Sequence, residues 1–143
     1  MIGVTPEIAK QQVLNLLQQV IQKQQLEQVE QYLSNELIVV LNGQNINYTR
    51  YLERLHHLAA APKATINELV VHDCIFAEDE QAVTVHYIVK ITTKLTQEDQ
   101  IDVLSLWRFK DEQLIFCNEV AWPLTPVAER FQADQQFIRD YII

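Results

Sequence analysis

The sequence predicts an α+β domain, a cone-like roll in which N-terminal helices pack on a strongly curved, mainly antiparallel sheet. Three observations carry this. Apolar residues recur at helical spacing before Pro62, the period changes to two from Ala64 onward, and the alternating stretches are joined by links short enough for hairpins. A chain of 143 residues is the size of one domain and buries about two-thirds of its unfolded surface, so residues 1–143 are read as a single domain.

Thr5-Pro6-Glu7 opens the first helix: threonine caps, proline fits the first turn, and an acid there suits the helix dipole. Val13, Leu16, Leu17, Val20 and Ile21 form one apolar face, and glutamines cover the other. Lys23-Gln24-Gln25 interrupts the stripe before a second, shorter helix through Leu26, Val29, Tyr32 and Leu33. Glu36–Leu41 is a short strand closed by Asn42-Gly43, a dipeptide suited to the positive φ angles of tight turns. Asn47 caps a third helix whose buried face carries Tyr48, Tyr51, Leu52, Leu55 and Ala59, ending before Pro62. Four strands follow at Thr65–Phe76, Gln81–Leu95, Gln100–Lys110 and Gln113–Trp122, long enough that the sheet must twist and bulge. Residues 125–143 read as a C-terminal helical extension with Val127, Phe131, Ile138 and Ile142 as spaced anchors.

Composition removes several function classes. A net charge of −8 opposes the phosphate contacts that dominate nucleic-acid affinity, and makes anionic membranes poor partners. No stretch is long and apolar enough to span a bilayer, and the N-terminus lacks the pattern of a secretory signal, so the expected location is cytoplasmic. Cys74 and Cys117 are too few for a disulfide framework and are expected as buried thiols. His56 and His57 are adjacent on a helix and do not converge on a metal. HExxH, CxxC, a phosphate-binding glycine loop and a nucleophile elbow are all missing, so no metal and no cofactor are expected.

The order of elements, with VLNGQNINYTRYLERL as strand, turn and helix and LWRFKDEQLIFCNEVAWPL as strand, turn and strand with an acid near its end, resembles the nuclear transport factor 2-like superfamily, in its SnoaL-like branch. The likeness spans roughly residues 5–123. It implies a pocket inside the cone and pairing of two copies sheet to sheet.

Strand parity sorts the candidate chemistry. With Ile115 inward, Cys117, Glu119 and Ala121 share its face; Ile101, Val103, Ser105, Trp107 and Phe109 face inward on the preceding strand, and Val83, Val85, Tyr87, Val89 and Ile91 on the strand before that. A carboxylate among aromatics has a raised pKa, which suits Glu119 as a general acid or base. The resemblance implies that Tyr87 can donate to a developing enolate oxygen, as tyrosines do in steroid isomerases of this fold. His72, inward if Cys74 and Phe76 are, would pair with Glu119 as histidines do in fold-sharing dehydratases. Trp107, Ser105, Tyr51 and Cys117 complete the expected ligand-binding set. The plain alternative for Glu119 is an ion pair with Arg108 or Lys110, or solvation at the mouth of the cone.

On the opposite face Ile88, Leu104 and Leu106 would leave apolar area bare in a monomer, so a homodimer through the outer sheet face is expected. Two functions remain open. One is cofactor-independent isomerase, cyclase or dehydratase chemistry on a small apolar carbonyl compound. The other is a non-catalytic homodimer that binds a small hydrophobic ligand or a protein. A purely structural association module with a filled cone is the third and weaker possibility.

Overall fold

Thr5 begins the first helix as its chemistry dictates: its backbone is extended and its hydroxyl oxygen accepts from Ile8 N–H at 3.4 Å, with Pro6 in the first turn. The computed structural model describes residues 3–60, 64–93 and 98–124. Helix α1 (Pro6–Leu16) buries Ala9, Val13 and Leu16, and then widens into a π-helical turn, Leu17–Gln22, closed by a bond from Lys23 N–H to Gln18 C=O at 3.0 Å. Widened turns of this kind cluster at functional sites. A left-handed Gln24 (φ 57°) ends it, and a 3-10 turn, Leu26–Gln31, stands where the second helix was expected.

Strand β1 (Leu33–Leu41) starts three residues before the expected Glu36. Leu33 is therefore strand and not helix. It pairs with Leu114 in the last strand, and Leu114 N–H donates to Tyr32 C=O at 2.9 Å, so a long-range pairing overrides the local helical spacing. Asn42 (φ 46°) and Gly43 (φ 87°) are both left-handed, the backbone of a two-residue hairpin, and they return the chain as β2 (Gln44–Asn47), a strand that its polar residues concealed. Asn47 Oδ1 then accepts from Arg50 N–H at 2.9 Å and caps α2 (Tyr48–Ala60).

Strands β3 (Ala64–Ala77), β4 (Ala82–Thr93), β5 (Glu98–Lys110) and β6 (Gln113–Pro123) follow as antiparallel neighbours. The sheet has six strands in the order β2-β1-β6-β5-β4-β3, with β1 parallel to β6, so it is mixed and mostly antiparallel. Lys94 and Leu95, expected in β4, and the expected helix at 125–143 lie outside the described residues.

The helices cover one face, and the buried residues follow the expected parity. Val83, Val85, Tyr87, Val89 and Ile91 are buried on β4, and Ile101, Val103, Ser105, Trp107 and Phe109 on β5. Each fully buried large apolar side chain contributes about 1.5–3 kcal/mol, which fixes the register, since a one-residue slip would turn the whole row outward.

Two bulges change individual side chains. Arg108 opposes Phe116 while Phe109 opposes Leu114, leaving Ile115 as the extra residue. Leu114 is fully buried and Ile115 only partly, so the inward position expected of Ile115 belongs to Leu114. On β3, Val71 opposes Tyr87 and Asp73 opposes His86, leaving His72 as the extra residue.

Candidate acid–base cleft

The strands bring Glu119 to the helix-covered face beside Tyr87. Ser105 stands opposite Glu119 on one side and Val85 on the other, and Tyr87, opposite Val103, lies one inward position further along β4. The Tyr87 hydroxyl donates to Glu119 Oε1 at 3.2 Å. Glu119 itself is held by its backbone. Asn42 N–H donates to Glu119 C=O at 2.9 Å, and the Asn42 side chain accepts from Ala121 N–H at 3.0 Å and donates to Ala121 C=O at 3.3 Å. The left-handed turn that reverses β1 thus also clamps the stretch of β6 carrying the carboxylate.

A cleft opens beside this pair. The π-helical turn and the residues after it contribute Val20, Ile21 and Gln24, α2 contributes Tyr51, Arg54 and Leu55, and the sheet contributes Leu41, Ile66, Tyr87, Trp107 and Glu119. Its volume is about 520 Å³, including the part open to solvent.

Burial dominates the electrostatics. Glu119 keeps some exposure through the cleft, yet removal of its carboxyl from bulk water pushes the pKa up from 4.5 to about 7. The Tyr87 hydrogen bond and the Arg54 charge pull it back down, in that order. Cys117, buried on the same strand, is pushed well above the ordinary thiol value by burial and then by Glu119, so it is an inert neighbour. Cys74 is only half-buried, because it lies on β3 at the margin of the sheet, and does not meet the expectation of a fully buried thiol.

The structure brings together Glu119, Tyr87, Trp107 and Tyr51. Ser105 and Cys117 are buried but do not line the cleft; Ser105 Oγ accepts from the Trp107 indole N–H at 3.0 Å and so fixes the ring that does. His72 is not part of this group. Its bulge carries it to the outer face, where it is exposed and stacks on His86 with ring centroids 5.3 Å apart, while His86 Nε2 meets Asp102 Oδ1. Arg108 does not neutralise Glu119: its guanidinium lies 3.6 Å from Glu80 and over the Phe116 ring.

Arg54 was not singled out in the sequence. The signal was present, since Tyr51, Arg54 and Leu55 stand at i, i+3 and i+4, but an arginine inside an apolar stripe reads as its solvated border. Among the described residues no group of three or more His, Cys, Asp or Glu is placed to hold a metal ion.

No family model and no curated protein sequence matches the chain. Solved structures do. An LEH-like epoxide hydrolase from M. tuberculosis superimposes with a TM-score of 0.67 at 16% identity, over 95% of this chain and 92% of that one. A protein from Acidithiobacillus ferrooxidans assigned as a polyketide cyclase gives 0.64 at 12%, over 97% and 96%. An NTF2-like protein from Cytophaga hutchinsonii gives 0.56 at 17%, over 83% and 100%. The chain has the nuclear transport factor 2-like fold. The element order that suggested this fold is therefore borne out, at identities too low for sequence matching. Within the nuclear transport factor 2-like fold of this chain, the π-helical turn, α2 and the inner face of the sheet together form the walls of the cleft. No described helix is long and apolar enough to cross a membrane.

Proposed function

We propose that this domain binds a small, largely apolar carbonyl compound in the cleft and performs cofactor-independent isomerase, cyclase or dehydratase chemistry on it, with Glu119 as acid/base. The observation that carries this reading is the Tyr87–Glu119 hydrogen bond inside an apolar-walled cleft, with the carboxyl raised to about 7. A carboxyl half-ionised near neutrality both takes and returns a proton there. As base, Glu119 removes the proton α to the carbonyl, the C–H electron pair moves to the carbonyl oxygen as an enolate, and Glu119 returns the proton at another atom. Once protonated, Glu119 accepts less well from Tyr87, whose hydroxyl then turns to the new oxyanion, while Arg54 supplies positive charge nearby. The cyclase and epoxide hydrolase neighbours support acid–base chemistry of this kind only loosely.

The test is deuterium exchange at the α-carbons of small cyclic ketones such as cyclopentanone, followed by proton NMR. The protein should accelerate exchange, and Glu119→Gln should lose at least about 100-fold of that acceleration. Equal exchange by both proteins removes the acid–base role. It would leave the second reading, a non-catalytic ligand- or protein-binding module.

In either reading the partner is a second copy of the chain on the outer sheet face. Ile75, Leu104, Val120 and Trp122 are 63%, 44%, 45% and 40% exposed there, more apolar surface than a lone domain usually leaves bare. The patch also holds His72 and His86 beside Asp73 and Asp102.

A further inference from the structure

We infer that the ligand of the cleft carries a second oxygen besides the reacting carbonyl, and that the Gln24 side-chain amide donates a hydrogen bond to it. This deepens the reading of the cleft as a small-molecule site and rests on it. Val13, Leu16, Leu17, Val20 and Ile21 make an apolar stripe at helical spacing, and Gln24 takes the next place in that spacing. An apolar residue there would continue the stripe. Instead a primary amide joins Val20 and Ile21 in the lining of the cleft.

Gln24 is left-handed (φ 57°), a conformation that costs an L-residue free energy and that glycine adopts freely. The chain reaches it through the π-helical turn Leu17–Gln22, and a bond from Gln25 N–H to Gln19 C=O at 2.8 Å closes the turn behind it. Backbone held in such a conformation by its surroundings clusters at ligand sites. The neighbouring amide is already bonded, since Gln28 Nε2 donates to Gln25 Oε1 at 3.0 Å. Gln24 makes no side-chain hydrogen bond among the described residues, so its amide is left to the cleft.

The remaining polar groups of the lining are engaged. The Tyr87 hydroxyl donates to Glu119, and Tyr51 and Arg54 have interactions of their own. In the proposed reaction Tyr87 and Glu119 serve the carbonyl and its α-proton from the sheet. Gln24 comes from the turn and is bonded to neither, which makes it a second polar point in an otherwise apolar wall. A plain hydrocarbon ketone would cover that amide and leave it unpaired, at a cost. A ligand with a further ether, hydroxyl or carbonyl oxygen satisfies both points. Two-point attachment of this kind selects which α-carbon lies at Glu119. Because an amide does not titrate, the contact keeps its strength while Glu119 changes charge.

Deuterium exchange of tetrahydropyran-4-one and of cyclohexanone, rings of one size that differ by an ether oxygen, tests this at pH 7, each rate being divided by that in buffer alone. The parent should favour the ether-containing ring by about fivefold in kcat/KM, the worth of one hydrogen bond. Gln24→Met, of similar length without a donor, should bring the ratio to about one. Gln24→Gly should do the same while unfolding at an equal or higher urea concentration than the parent, since it relieves the left-handed backbone. Equal acceleration of both rings by the parent overturns the inference, and that result needs no variant to fold. A Gln24→Met protein that loses the same factor on both rings also overturns it, because the amide would then serve the reacting carbonyl. So does a Gln24→Gly protein that unfolds at lower urea and keeps the parent's ratio, which would show a part in the turn alone. Equal acceleration would sink this inference and leave the proposed function, whereas no acceleration of either ring would sink both.

Discussion

Glu119 stores a measurable instability. Its folded-state pKa of about 7 lies above the unfolded value, so both states are protonated in acid and no penalty exists there. As pH rises past about 4.5 the unfolded chain ionises first, and stability is lost until the folded carboxyl also ionises near 7. The two and a half units between them correspond to about 3 kcal/mol. Glu119→Gln, neutral throughout, should match the parent at pH 4 and exceed it by about 3 kcal/mol at pH 8 in urea unfolding. Tyr87→Phe removes a hydrogen bond that favours the ionised form, and should move the midpoint of that loss up by about one unit. Both candidates were legible because alternation holds along β4 and, beyond the bulge at Ile115, along β6 from Cys117 through Ala121. His72 was not, because parity counted back from Cys74 crosses a bulge that leaves no mark in side-chain chemistry. Arg54 was hidden differently, since an arginine can lie inside a buried face along its aliphatic stem.

At the level of elements, the sequence was most informative where a side chain caps or turns the backbone. Thr5, Asn42-Gly43 and Asn47 each do what their chemistry predicts. Elements set by distant partners were less visible: β2 is polar except for Ile46 yet pairs with β1, and Leu33 leaves a helical spacing to join β6. The β5–β6 turn is a place where sequence and backbone disagree. Asp111 (φ 52°) and Glu112 (φ 69°) are both left-handed without a glycine, a conformation that costs an L-residue about 1 kcal/mol. Glu112→Gly creates the Asp-Gly pair that such turns favour, and should raise stability by about 1 kcal/mol in thermal or urea unfolding. A loss of stability would show that the Glu112 side chain contributes more than its backbone costs.

For the molecule as a whole, the two faces of the sheet divide the work: one carries the cleft and the other the apolar patch. Leu104→Asp places a charge opposite Val120 in that patch without touching the cleft. The parent should sediment as a dimer at micromolar concentration and the variant as a monomer of close to 16.7 kDa with its ketone exchange retained. A monomeric parent removes the second copy from that face. The bulge that displaces His72 has a consequence at the same scale. Strand β3 is 14 residues long and lies at the end of the strand order among the described residues, the kind of margin along which other chains add strands and aggregates grow. Its ladder is interrupted twice, at Asn67 and at His72, so no long straight run of unpaired backbone is offered to a foreign strand. His72, a candidate for catalysis from its parity alone, thus sits at one of the two breaks in that margin.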